Sequence, residues 1–101
     1  GAISHGEAVA HGMRAAARIS ANKAMLTEDQ YAEIDKTITR FYGKSLLSQY
    51  PVELLMDYMH HDKKRNAEGF VFTLLDDIGH AVEHQVVSQK EVTRMLLSFQ
   101  P

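Results

Sequence analysis

The sequence contains no cysteine and no tryptophan, and only two of its 101 residues are proline. The absence of cysteine excludes disulfide bonds, cysteine-based zinc sites, iron–sulfur clusters and thiol nucleophiles. The six histidines therefore remain as the candidate nitrogen ligands for a metal ion.

Long hydrophobic runs are also missing from the chain. No stretch reaches the ~20 apolar residues that a membrane-spanning helix needs. The alanine-rich start contains histidine, glutamate and arginine, unlike a signal peptide. We therefore expect a soluble, cytoplasmic protein with no membrane partner.

An excess of one charge is absent as well, because 11 lysines and arginines oppose 13 aspartates and glutamates and leave a net charge of −2. The basic residues are scattered along the chain, which argues against a nucleic-acid partner. The chain also lacks the glycine-rich strand-to-helix turn of a dinucleotide site. A chain of this length forms one domain, and we predict a single helical domain over residues 1–101.

Two helices are predicted in the first half of the chain. Residues 6–25 carry apolar side chains at helical spacing. Thr27 and Gln30 have capping-box spacing, and the apolar stripe after them predicts a second helix over residues 28–42.

Two further helices and a hairpin are predicted in the second half. Pro51 suits the first turn of a third helix that ends near His61, and a polar loop over residues 62–69 follows. The β-prone segment 70–75, a turn, and the segment 80–87 predict a β-hairpin. Ser88 and Glu91 repeat the capping-box spacing before a fourth helix.

The fold class is therefore mainly α, with four helices and a small β-hairpin. The helices and the hairpin are expected to pack on one core. Its predicted residues are Val9, Met13, Ile34, Ile38, Leu54, Leu55, Phe72, Leu74, Val92 and Leu96.

The string SHGEAVAHGM at residues 4–13 stands at the entry to the first helix. The imidazole of His5 could ligate a metal ion, and Glu7 could support the site by accepting a hydrogen bond. The alternative is a capped helix start with an exposed histidine, because structural zinc usually needs four ligands.

The other five histidines do not complete such a site. His11 lies six residues further along the helix and is rotated away, so it is either packed or solvent-facing. His60 and His61 are adjacent and are expected at the surface. His80 and His84 share one face of a strand but are too far apart to chelate one ion.

A short basic cluster, DKKRN, occupies residues 62–66. The ammonium groups of Lys63 and Lys64 could hold a phosphate or carboxylate of a small ligand. The alternative is a solvated loop, which is the usual place for such a cluster.

The HGEAVA-x-GM string, the DKK triplet and the strand that runs into Ile78-Gly79 follow one another in an order and spacing similar to those of one family. Over essentially the whole chain, the sequence resembles the C-terminal domain of 3-dehydroquinate synthase, a sugar-phosphate cyclase.

The resemblance implies a function and a set of roles. Such enzymes close 3-deoxy-D-arabino-heptulosonate 7-phosphate into 3-dehydroquinate with loss of phosphate, in the shikimate route, and they use NAD and zinc (or cobalt). It implies that His5 is a zinc ligand. It also implies that Lys63 is a catalytic, substrate-contacting lysine, with Lys64 beside it in the substrate-binding DKK motif.

The resemblance also implies a partner. The other zinc ligands of the family, a Glu and a second His, lie upstream of the HGEA string, as does the NAD-binding part. We therefore expect this chain to be an N-terminally incomplete fragment that cannot turn over substrate alone. Apolar surface separated from its partner would favour self-association into a homo-oligomer.

Two departures from the family pattern loosen the choice of subfamily. His11 stands where an apolar or small residue is usual, and residues 42–45 replace a Gly-Leu-Pro turn. Two alternatives stay open: a related cyclase of the 2-deoxy-scyllo-inosose synthase or sedoheptulose-phosphate type, and a non-catalytic helical interaction module.

Overall fold

A computed structural model describes residues 4–101, which form four α-helices and a three-stranded antiparallel sheet. This confirms the predicted mainly helical class. The helices are α1 (His5–Asn22), α2 (Glu28–Tyr42), α3 (Val52–Asp62) and α4 (Gln89–Ser98), and the strands are β1 (Arg65–Asn66), β2 (Gly69–Asp77) and β3 (His80–Val87).

Both predicted capping boxes are present. The Thr27 hydroxyl accepts from the backbone N–H of Gln30, whose side chain accepts from the N–H of Thr27. Ser88 and Glu91 make the same two bonds at the start of α4. Each box satisfies two backbone N–H groups that have no partner within the helix, so these two helices begin where the sequence predicts.

Two other helix ends differ from the prediction. The first helix ends at Asn22 rather than at residue 25, because Ala24 adopts a left-handed φ of 60°. The carbonyl of Ser20 then accepts from the N–H of Met25 and closes the end. Pro51 is the N-cap of α3 rather than part of its first turn, and the helix continues to Asp62.

The sheet is larger than the predicted hairpin. Strand β2 begins at Gly69, and β1 lies inside the predicted loop over residues 62–69, where Arg65 pairs with Phe70. The Asn66 side chain accepts from the N–H of Gly69 and closes the turn. A Cβ at Gly69 would lie 2.4 Å from the carbonyl oxygen of Val87, so glycine is required there.

The core lies between the sheet and the helices α1, α3 and α4. Alternate residues of β2 point into it, and of the predicted core residues six are buried: Ile38, Leu55, Phe72, Leu74, Val92 and Leu96. Ile34 is half-buried.

The predictions for Val9, Met13 and Leu54 are wrong, because these side chains are exposed. Val9 and Met13 face an open cavity. On α3 the buried positions are Leu55 and Met59 instead of Leu54, because helical periodicity identifies an apolar stripe but not which of its edges meets a partner.

Helix α1 is joined to its neighbours by two buried polar side chains. The Ser20 hydroxyl donates to the carbonyl of Ala16 and accepts from the N–H of Leu75, at 2.6 and 2.9 Å. The Arg14 guanidinium donates to the carbonyl of Gly43 at 2.6 Å, and Gly43 is the C-cap of α2. These bonds attach α1 to β2 and to the end of α2.

His11 is also buried on α1, with 4% of its surface exposed. Its ring lies edge-on to Tyr50, and neither ring nitrogen has a hydrogen-bond partner among residues 4–101. Burial, followed by the charge of Arg14, lowers the pKa of His11, while the charge of Glu7 opposes the shift. Of the two alternatives for His11, the packed one is observed.

Among residues 4–101, no helix is long and apolar enough to cross a membrane.

Candidate functional site

A cavity of about 700 Å³ opens between the first half of α1, the end of α3 and the hairpin. Its apolar wall comes from α1, from Ile34 of α2 and from Val71, Phe72 and Leu75 of β2. Its polar rim consists of His5, Tyr58, Asp62, Lys63, Lys64, Thr73, Glu83 and His84.

His5 is the first residue of α1 and is exposed on this cavity. Ser4 caps the helix, because its hydroxyl accepts from the N–H of Glu7 at 3.2 Å. This bond sets the helix start at His5. Glu7 itself is not part of the cavity lining, and among residues 4–101 no hydrogen bond joins its carboxylate to His5.

Lys63 and Lys64 follow α3 and reach the same cavity. The backbone N–H of Lys63 donates to the carbonyl of Met59, and its ammonium lies 5.0 Å from the centre of the Phe72 ring. The carbonyl of Lys64 accepts from the N–H of Val71 at 2.8 Å. The two lysines are thus held against β2, and cation–π contact favours the position of the Lys63 ammonium.

Three of the four site residues that the sequence singled out therefore meet at one cavity, although His5 and Lys63 are 58 positions apart. His60, His61 and His80 lie elsewhere. The ring of His60 packs on Phe70, and those of His61 and His80 lie beside Asp57 and Asp76.

Sequence reasoning missed Tyr58, Thr73, Glu83 and His84 as cavity residues. No functional role was predicted for Tyr58, and His84 was considered only as a metal ligand together with His80. Thr73 could have indicated the cavity from the sequence, because it is a polar residue between apolar ones in β2. It marks the face of the strand opposite the core.

Tyr58 remains a neutral hydroxyl at the cavity. Burial raises its pKa, and the charge of Asp62 and a hydrogen bond with that carboxylate raise it further. The residue can therefore donate or accept a hydrogen bond but does not act as a phenolate near neutral pH.

The side chains at the cavity supply only part of a metal site. Among residues 4–101, no three histidine, aspartate or glutamate side chains are grouped so as to hold a metal ion. Catalytic zinc usually has three protein ligands. The exposed imidazole of His5 fits one ligand position, and the remaining ligands would have to come from other residues.

Fold and cavity together define a small, mainly helical domain that presents imidazole and ammonium groups at one open cavity. The family model described as 3-dehydroquinate synthase C-terminal matches residues 1–65, a range that contains His5, Lys63 and Lys64. The chain belongs to this family of 3-dehydroquinate synthase C-terminal domains.

Individual relatives agree with the family model. The chain is 38% identical to the 3-dehydroquinate synthase of Chlorobaculum parvum over 87 residues, which are 81% of this chain and 24% of that protein. It is 33% identical to that of Campylobacter concisus over 98 residues, covering 94% and 28%. It is also 33% identical to that of Coxiella burnetii over 96 residues, covering 91% and 26%. No solved structure matches the chain. The chain spans about a quarter of the length of these relatives.

Proposed function

We propose that this domain forms one wall of the active site of a 3-dehydroquinate synthase. The reaction would convert 3-deoxy-D-arabino-heptulosonate 7-phosphate to 3-dehydroquinate and phosphate, in the shikimate pathway. The observation that supports the proposal most is that His5 and Lys63, from opposite halves of the chain, line the same cavity.

Lys63 would contact the substrate, and Lys64 would add a second ammonium group beside it. Each cation can neutralise a phosphate or carboxylate oxygen of a sugar-acid phosphate and stabilise charge that develops during the reaction. Lys63 is suited to this role because its ammonium lies over the Phe72 ring and its side chain remains partly exposed. The carboxylate of Asp62 lies 3.8 Å from this ammonium.

His5 would be the contribution of this domain to a zinc or cobalt site. A neutral imidazole is the form that ligates a metal. The metal, when bound, would polarise the substrate hydroxyl that loses hydride. Glu7 as a hydrogen-bond acceptor for this site stays a prediction.

The partner would be the N-terminal, NAD-binding part of the same enzyme. It would supply the other metal ligands and hold the NAD, for which residues 1–101 have no glycine-rich motif. A cytoplasmic location is part of this proposal, because NAD and phosphorylated sugar acids are kept inside cells.

The test is a graft of residues 1–101 onto the upstream three quarters of the Chlorobaculum parvum enzyme, assayed for phosphate release with NAD and zinc. We expect turnover, and a loss of at least about 100-fold in His5→Ala and in Lys63→Ala. His61→Ala and Lys90→Ala are the matched controls, because neither side chain lines the cavity.

A folded graft without turnover would contradict the proposal and favour a helical interaction module. Undiminished turnover in His5→Ala would contradict the assigned role of that residue. Substrate choice would depend on upstream residues. The chain joined to its natural upstream segment should therefore be assayed for turnover of the heptulosonate phosphate, glucose 6-phosphate and sedoheptulose 7-phosphate. Preference for either of the last two substrates would assign a related cyclase.

A further inference from the structure

A β-bulge in the hairpin lies at the edge of the cavity. Phe72 pairs with Gln85 and Leu74 pairs with Val82, so Thr73 on β2 opposes two residues, Glu83 and His84, on β3. Thr73, Glu83 and His84 all line the cavity. A bulge changes the direction of side chains and is frequent beside active sites.

The backbone of His84 is in the left-handed region, with a φ of 56°. A residue with a Cβ is less stable in that conformation than glycine. Packing does not account for the histidine, because 86% of its side chain is exposed. Its polar neighbour is Glu83, whose carboxylate lies 3.9 Å from Nε2. A strained, exposed imidazole at a cavity is the kind of outlier that indicates a functional contact.

Two lysines are attached to the same stretch of β2. The ammonium of Lys63 lies over Phe72, the neighbour of Thr73, and the carbonyl of Lys64 is bonded to Val71, two residues away. Cationic groups from the α3–β1 connection and the imidazole of His84 therefore surround the middle of β2.

The charges of the cavity rim indicate which ligand would suit it. Lys63 and Lys64 bring two ammonium groups to the rim, which also carries the carboxylates of Asp62 and Glu83. The ammonium groups of Lys63 and Lys64 offer only hydrogen-bond donors, which suit the acceptor oxygens of an anion. A doubly charged anion with several acceptor oxygens can accept from both ammonium groups.

We propose that His84 is a substrate-binding residue that donates a hydrogen bond from its ring to the phosphate group of a sugar-acid phosphate, beside Lys63 and Lys64. The proposal rests on the proposed function and assigns a binding role to a residue outside the range that the family model matches. Glu83 would orient the imidazole by accepting from its other nitrogen or by pairing with its charged form.

The first test follows the imidazole resonances of the 101-residue chain by NMR during titration with inorganic phosphate, and with acetate at matched ionic strength. We expect a saturable shift of His84 with phosphate and a smaller one with acetate. His84→Gly should weaken phosphate affinity about tenfold. His80→Ala is the control, because His80 is an exposed histidine of the same hairpin away from the cavity. Equal affinity in His84→Gly, or equal shifts with both anions, would overturn the proposal.

The glycine variant also tests the strain. Because glycine adopts a positive φ without cost, His84→Gly should keep or raise the melting temperature. A weaker affinity would then not be a result of unfolding. A lower melting temperature would overturn the argument, since it would show that His84 stabilises the fold.

The second test uses the active graft, where His84→Gly should raise KM for the substrate about tenfold with little change in kcat. An unchanged KM in an active graft would overturn the role of His84 and leave the proposed function intact. If the unsubstituted graft were inactive while phosphate still shifted His84, the proposed function would fail and the anion site would stand.

Discussion

Ser20 and His11 are buried polar side chains of the same helix, nine residues apart, and they differ in their hydrogen bonds. Ser20 donates to one backbone carbonyl and accepts from the N–H of Leu75. His11 has no hydrogen-bond partner among residues 4–101. Around Ser20 the helix packs against the sheet and α4, whereas before His11 it presents Val9 to an open cavity.

This difference indicates that the two halves of α1 have different roles. The second half of α1 stabilises the fold, because its apolar groups are buried and its buried hydroxyl is satisfied. The first half has fewer buried side chains and carries His5 to the cavity. Regions with few buried contacts are where binding and movement are found.

The largest expected effect is a difference in stability between substitutions of one apolar residue from each half of α1. Ile19→Ala should lower the free energy of unfolding by about 3 kcal/mol, because Ile19 is almost fully buried in the core. Met13→Ala should cost less than about 1 kcal/mol, since Met13 is 37% exposed. Urea denaturation measures both, and similar losses would remove the distinction between the two halves.

A smaller effect is expected at Ser20. Ser20→Ala should lower the free energy of unfolding by about 2 kcal/mol, because it leaves the buried N–H of Leu75 without an acceptor. Ser98→Ala is the matched control, since its hydroxyl makes a similar bond to a helix carbonyl but the residue is exposed. The control should change stability by less than about 0.5 kcal/mol. A Ser20 variant as stable as the control would show that the bond to β2 contributes nothing.

The smallest expected effect is a pH dependence from His11. Burial and Arg14 lower the pKa of His11 in the folded chain, so below a pH of about 6.5 the unfolded chain takes up a proton that the folded chain does not. Stability should therefore fall as the pH drops from 7.5 to 5.5. His11→Leu should lose less stability over this range, as measured by the melting temperature.

The control for that series is His61→Leu, because His61 is exposed. It should keep the pH dependence of the unsubstituted chain. If His11→Leu showed the same dependence as well, the buried imidazole would not be its source.

Local features were predictable from the sequence because their causes are local. The capping boxes of α2 and α4 depend on two side chains three residues apart, and both helices begin where predicted. Phe72 and Leu74, both predicted in the core, are likewise buried on one face of β2.

Features that depend on distant contacts were not predictable in the same way. Periodicity placed Val9 and Met13 in the core, yet whether an apolar stripe is covered depends on which element packs on it. The bulge at His84 depends on the pairing of β2 with β3, which a regular strand pattern does not reveal.

The candidate site also combines residues that the sequence predicted with residues that only tertiary packing brings in. Motif resemblance identified His5, Lys63 and Lys64 as candidates, and tertiary packing brings them to one cavity while leaving Glu7 outside its lining. Tyr58, Glu83 and His84 join that cavity only because α3 and the hairpin pack near the start of α1.

By itself, the sequence determined the helical class, the capped helix starts and the candidate residues for binding a metal or an anion, because each depends on side-chain chemistry and short spacing. The tertiary structure decided which of these residues share a cavity, which polar groups are buried without a partner, and where a strand bulges. Those outcomes follow from contacts between segments far apart in the chain, whose packing no local pattern encodes.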